Sequence, residues 1–211
     1  MYFCRVVRNT CSKNLWYDIT NTLLTKLQLA YDSKNHGLDL SKSGFLKSEV
    51  YKADECIYII ENKEILGFVF IMTKKRPSTL YITLMASFQK GIGKEIIDHL
   101  EKTPVYIHEL LSLRATRNSI GFYIKLHFFI FDFITMETYV NGSVSNIFTD
   151  EIKNNLKDDK KLCDIQKSIV DVGWMPEESD EFPFLKKRTC EYSSMNNNTR
   201  RSKRLMKKIY N

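Results

Sequence analysis

Leu80-Tyr81-Ile82-Thr83-Leu84-Met85-Ala86-Ser87-Phe88-Gln89-Lys90-Gly91-Ile92-Gly93-Lys94 passes from an apolar, β-forming segment through two closely spaced glycines into the helical repeat of Ile92, Ile96, Ile97 and Leu100. These patterns predict a strand over 79–86 and a helix over 94–102, stopped by Thr103-Pro104. Glycines at the junction leave main-chain N–H groups at a helix N-terminus uncovered by side chains, and such a terminus attracts phosphate. Spacing excludes the two familiar nucleotide loops. A P-loop needs glycine in place of Phe88 and Ser or Thr in place of Glu95, and a dinucleotide fingerprint needs Gly or Ala in place of Ile96. On the glycines alone, an anion site of another type and a ligand-free strand-to-helix turn both stay open.

Further along, Asn118-Ser119-Ile120-Gly121-Phe122-Tyr123-Ile124-Lys125-Leu126-His127-Phe128 carries a second signature. Together the two stretches resemble the GNAT superfamily of acyl-CoA-dependent N-acyltransferases. In that family a Gln/Arg-x-x-Gly-x-Gly/Ala loop after a strand holds the pyrophosphate of coenzyme A, and a later helix bears Tyr-x-Lys-x-Gly-Phe. The resemblance covers residues 57–128 and departs from the family pattern at two positions. Phe88 stands at the Gln/Arg position, with Gln89 one residue late, and His127 stands where glycine is usual. The fold it implies is α/β (α+β), a GNAT-like mixed, mainly antiparallel sheet of about six to seven strands flanked by helices. In such a sheet the strand entering the cofactor loop and the strand after the next helix start side by side and then splay, opening a wedge for the pantetheine arm.

With 211 residues, 43% of them hydrophobic and 12% aromatic, the chain has the make-up of one globular domain with room for an appendage. The five cysteines, Cys4, Cys11, Cys56, Cys163 and Cys190, are scattered without a Cys-x-x-Cys pair, and no charged-then-apolar leader opens the sequence. The expectation is an intracellular protein, cytoplasmic or, given its basic tail, nuclear, with no membrane span. Charge is uneven: from Leu185 to Asn211 nine Lys or Arg face one acid, a net of +8 against +7 for the whole chain. Such a tail reads as a solvated end or as a contact for nucleic acid or another acidic partner.

Periodicity predicts strands over 2–8, 56–60, 65–72 and 105–111, with a hairpin turn at Glu61-Asn62-Lys63-Glu64. Leu15, Ile19, Leu23, Leu24, Leu27 and Tyr31 predict an early amphipathic helix capped by Ser12 or Asn14. A helix over 116–126 carries Tyr123, and a strand follows over 128–133. An additional helix from Thr149 to Val172 then leads to Glu181-Phe182-Pro183-Phe184-Leu185-Lys186, read either as a loop or as a late edge strand beside the Phe128 strand. The domain reading is an acetyltransferase core over 1–140, a helical extension over 141–188 that returns a strand to the sheet, and a basic tail over 189–211.

Acetyl transfer from a thioester to an amine needs a held thioester, a neutral amine, a stabilised oxyanion and a proton for the departing thiolate. The resemblance implies acetyl-CoA as donor. It places the main-chain amides of Leu84, Met85 and Ala86 against the pantetheine, and Gln89, Lys90, Gly91, Ile92, Gly93 and Lys94 around the pyrophosphate. Tyr123, matching the motif tyrosine, is the expected general acid; Phe122 and Tyr123 also suit a plain core role. Asn118 is a candidate contact to the cofactor arm or a helix cap. Glu109 is the candidate base acting through water, its neighbour His108 pointing to the other face, and an exposed strand carboxylate is the alternative. His36, His99 and His127 are too isolated to suggest a metal set. The sequence therefore predicts an acetyl-CoA-dependent N-acetyltransferase acting on a primary amine of a small molecule or protein, with homodimerisation open. A catalytically silent module of the same fold, binding through its basic tail, is the alternative.

Overall fold

The computed structural model describes residues 1–32, 50–74, 78–103, 110–130, 147–171 and 181–187. Strand β1 (Tyr2–Val7) leads through a 3-10 turn into helix α1 (Lys13–Asp32). Ser12 caps that helix, its Oγ accepting the Leu15 N–H at 3.2 Å. The buried stripe is Trp16, Thr20, Leu23 and Leu27, one residue out of step with the expected start, and Leu15 faces solvent. β2 (Glu55–Glu61) and β3 (Glu64–Lys74) form the expected hairpin. Its turn is Asn62-Lys63, both left-handed (φ 49° and 69°), the geometry that matches strand twist in a two-residue loop. β4 (Thr79–Ser87) and helix α2 (Ile92–Lys102) follow, then β5 (Leu110–Thr116).

The sheet has seven strands in the order β1-β2-β3-β4-β5-β7-β6, where β6 is Phe129–Ile130 and β7 is Glu181–Lys187. Only the β4–β5 pair is parallel among the described ladders. This is a mixed, mainly antiparallel sheet with the strand number expected from sequence. Its two faces carry separate apolar clusters. Strand alternation sends Phe68 and Phe70 toward α1, and Val69 and Ile71 toward α2, helix α3 (Ile120–Lys125), α4 (Ile147–Asn154) and α5 (Asp159–Asp171). Gly67 of β3 lets α2 approach: a Cβ there would lie 2.7 Å from Ile92 Cγ2 and 2.8 Å from the Ala86 carbonyl oxygen.

Three sequence expectations are corrected. The strand placed over 105–111 does not end at Leu111 but runs on to Thr116, because Leu111, Leu113 and Ala115 continue the two-residue period into the core; residues 105–109, with Glu109 and His108, lie outside the described residues. The single helix over 149–172 is two helices, α4 and α5. Asn155 and Asp158 break it, as short polar side chains compete for the backbone: Asn155 Nδ2 donates to Glu151 O, and Asp158 Oδ1 accepts the Lys161 N–H as the cap of α5. The Glu181 stretch is a strand and does pair with β6, but it is not an edge: β7 sits between β5 and β6. Phe182, Phe184 and Leu185 are fully buried, as suits an interior strand. Pro183 pairs with Arg114, outside the short β6 overlap at Phe184 and Leu185.

The basic tail, counted from Leu185, starts inside this strand. Lys186 is no solvated tail residue, for its Nζ pairs with Glu101 of α2 at 2.6 Å and lies 5.7 Å from the Phe128 ring centre. Residues from 188 onward lie outside the described residues. Among the described residues no helix is long and apolar enough to cross a membrane.

Candidate active site

β4 and β5 pair over only four residues, from Thr79–Leu110 to Ile82–Leu113. Beyond Ile82 the strands part, although β4 continues to Ser87 and β5 to Thr116. The parting coincides with an irregularity in the β3–β4 ladder. Phe70 pairs with Leu84 and Ile71 with Ile82, so Thr83 is an extra residue, and its hydroxyl donates to Phe70 O at 3.2 Å. A bulge bends its strand and ends pairing on that side. The wedge that the resemblance implied is therefore present, with a bulge at its apex.

What faces the wedge follows from the ladder. The Phe88 N–H donates to Leu66 O at 2.8 Å, so Phe88, Ala86 and Leu84 direct their main-chain groups into β3. Met85 and Ser87 consequently turn theirs toward the gap left by β5. Of the three amides expected at the pantetheine, Met85 alone has that orientation, and Ser87 joins it.

The turn after β4 ends at Gly91, which caps α2 with φ 92° and ψ −29°. Lys94 and Glu95 donate to its carbonyl, whereas among the described residues the N–H groups of Gly91 and Gly93 donate to no carbonyl. These are the orphan donors of a helix start. Gly93 is packed rather than strained: a Cβ there would lie 3.1 Å from Phe122 Cζ and 3.6 Å from Ser87 Oγ. Ile92 points away from the loop into the core, and Gln89 and Lys90 are exposed. Lys94 is engaged elsewhere, its Nζ 2.9 Å from Asp98 Oδ2. The ammonium holds the Asp98 carboxyl below the usual carboxylate range, and Asp98 in turn raises the lysine.

A cavity of about 390 Å³ lies at this parting, lined by Leu27 and Ala30 of α1, Met85 to Phe88, Gly93, Asn118, Ser119, Phe122 and Tyr123. Leu27 and Phe88 belong to the cluster on one face of the sheet, and Tyr123 and Phe122 to the other. The cavity is thus lined from both faces where the sheet opens. Tyr123 combines its two sequence readings. It is only 6% exposed, with its ring edge-on to Phe128 at 5.4 Å and tilted over Phe184 at 6.2 Å, yet it borders the cavity.

The tyrosine motif now has a physical basis. Phe128 N–H donates to Tyr123 O and His127 N–H to Ile124 O, each at 3.0 Å. This bond pair, with a left-handed residue at 127 (φ 64°) and an apolar contact between the first and last members, is a Schellman helix stop. The motif tyrosine, glycine position and phenylalanine are its three structural points. The helix itself starts later than expected, at Ile120. Thr116 ends β5, and a 3-10 turn over Arg117–Ser119 intervenes, held by Ser119 Oγ donating to Thr116 O at 2.9 Å.

Among the expected site residues, Met85, Ala86, Gly93, Asn118 and Tyr123 line the cavity together. Leu27, Ala30, Ser87, Phe88, Ser119 and Phe122 were not singled out from sequence as site residues. Leu27 was visible only as part of an amphipathic stripe, and Phe88 only as a departure from the motif. Among the described residues no group of His, Cys, Asp or Glu is arranged to hold a metal. Burial pushes the Cys56 thiol up, away from any nucleophilic use.

No family model matches the chain, and no curated protein matches it in sequence. Among solved structures it is similar to an aminoglycoside 6′-acetyltransferase type Ii, with a TM-score of 0.48 and 15% identity over 90% of this chain and 99% of that one. A GNAT-family acetyltransferase from Staphylococcus aureus gives a TM-score of 0.48 at 11% identity, over 89% of this chain and 100% of that one. GCN5 from Tetrahymena gives 0.45 at 16% identity, over 69% and 89%. Likenesses of this degree leave activity to be argued from the site.

Proposed function

We propose that this chain is an acetyl-CoA-dependent N-acetyltransferase that moves the acetyl group directly to a primary amine. The observation that carries the reading is the opened β4–β5 pair, with Met85 and Ser87 main-chain groups, the α2 N-terminus and Tyr123 all bordering one cavity. A fold alone does not define an activity; this convergence of donors does match what a thioester with a diphosphate tail requires. The N–H groups of Gly91 and Gly93 suit the diphosphate, since both are uncommitted and lie at a positive helix end. The Met85 N–H suits the pantetheine or the thioester carbonyl, where it would stabilise the developing oxyanion.

The reaction forms a C–N bond from the amine to the acetyl carbon and breaks the C–S bond. On this reading the Tyr123 hydroxyl gives its proton to the departing thiolate, and the amine proton passes to a base or water. Glu109 is retained as the base proposed from sequence. The silent-module alternative would act through the tail over 189–211, which lies outside the described residues.

The test is release of free thiol from acetyl-CoA across a panel of amines. Wild type is expected to release thiol with at least one, and Tyr123→Phe to lower kcat about 100-fold while keeping its affinity for CoA. Absence of any rise in melting temperature with acetyl-CoA overturns the donor assignment.

A further inference from the structure

The loop's own cation, Lys94, is tied to Asp98 one turn along α2, and its opening residue, Phe88, offers a ring in place of a hydrogen-bond donor. A different lysine reaches this point from α1. Lys26 holds its Nζ 5.2 Å from the centre of the Phe88 ring. Its neighbour Leu27, like Phe88, lines the cavity. Lys26 is half-buried, and among the described residues no carboxylate pairs with it. An ammonium over an aromatic face is held there by a weak attraction and keeps its N–H donors for an anion arriving beside it.

We infer that Lys26 is a donor-binding residue, its ammonium contacting the diphosphate of the CoA thioester as that group settles on the Gly91 and Gly93 amides. This rests on the donor reading above and adds a contact that neither sequence stretch contains. The Phe88 ring acts as the shelf that holds the ammonium at the loop. Lysine serves here as a point charge, so arginine preserves much of the effect and alanine does not.

The experiment is calorimetric titration of the full chain with CoA and with dephospho-CoA, which keeps the diphosphate and lacks the ribose phosphate. Lys26→Ala is expected to weaken both ligands about tenfold, a typical loss for one charged contact. Lys26→Arg is expected to stay within about threefold of wild type, and Lys153→Ala, on the exposed side of α4, to match wild type. Lys26→Glu should weaken both ligands further. Unchanged CoA affinity in Lys26→Ala overturns the inference even if turnover falls, since that pattern assigns Lys26 to the acceptor. A loss confined to CoA overturns it too, because the contact is then to the ribose phosphate. If wild type itself binds neither ligand, it is the donor reading that fails. Retained affinity in Lys26→Arg separates the contact from any loss of folding in the alanine variant.

Discussion

Gly91 and His127 stand at the ends of α2 and α3, two of the helices that border the cavity, and both take left-handed φ angles, 92° and 64°. One is a glycine; the other, at a position where the resembled motif has glycine, is not. The difference lies in where each falls in conformational space. His127 has the φ of the ordinary left-handed well, which histidine enters more readily than most residues, and its exposed ring displaces nothing. Gly91, with ψ −29°, lies outside that well. A Cβ at Gly91 would meet nothing within 4 Å, so its requirement is one of backbone angle alone. Gly93, two residues on, has the opposite requirement: an ordinary φ, but no room beside Phe122. Glycines in a motif therefore answer different physical demands, and only some of them are strict.

The sharpest way to break this comparison is Gly93→Val. The side chain must displace Phe122 and cover the loop amides, so stability should fall by about 1–3 kcal/mol and CoA affinity by about 100-fold. A melting curve and a CoA titration read the two effects, and wild-type affinity would show that the amides do not hold the diphosphate. Gly91→Ala tests angle without crowding. It is expected to cost about 1–2 kcal/mol, a fall in Tm of several degrees, and a destabilisation no larger than that of an exposed mid-helix substitution refutes the strain. His127→Gly reverses the sign and should add about 0.5–1 kcal/mol by relieving the left-handed cost, with CoA binding unaltered.

The smallest effect concerns the other end of α2. His99 stacks on Phe3 of β1 at 4.0 Å, nearly parallel, and burial lowers its pKa below the ordinary 6.5. The folded state thus prefers the neutral ring and binds fewer protons than the unfolded chain between the two pKa values. Stability from this site is present above pH 6.5 and falls as the pH drops through the folded value. Urea unfolding of wild type and His99→Phe across this range should show a shallower pH slope in the variant. An equal slope assigns the dependence elsewhere.

Much of this was legible in one dimension. The Asn62-Lys63 hairpin, the helix over Lys13–Asp32 and the β4-loop-α2 unit all follow from local signals: turn residues, apolar period and helix caps. Local chemistry failed where a choice depended on what packs alongside. Leu111, Leu113 and Ala115 continue a strand that was expected to end at Leu111, because a core lies against them. Pro183 argued for an edge, yet β7 pairs with β5 along its length and with β6 at Phe184 and Leu185. The break at Asn155–Asp158 was within reach of sequence reasoning, since Asn and Asp there are better caps than helix interior.

For the site the division is similar. By itself the sequence determined that two glycines meet a helix start after an apolar strand, and that a short helix carries Tyr123 just before Phe128. These are short-range facts, decided by main-chain angles and by hydrogen bonds spanning a few residues. Only the tertiary structure decided that β4 leaves β5 after Ile82 and that Met85 and Ser87, rather than Leu84 and Ala86, face the opening. It also decided that Lys26, sixty-two positions before Phe88, rests on that ring. Ladder register, bulges and the approach of a helix from another part of the chain depend on contacts between distant segments. No local propensity encodes them.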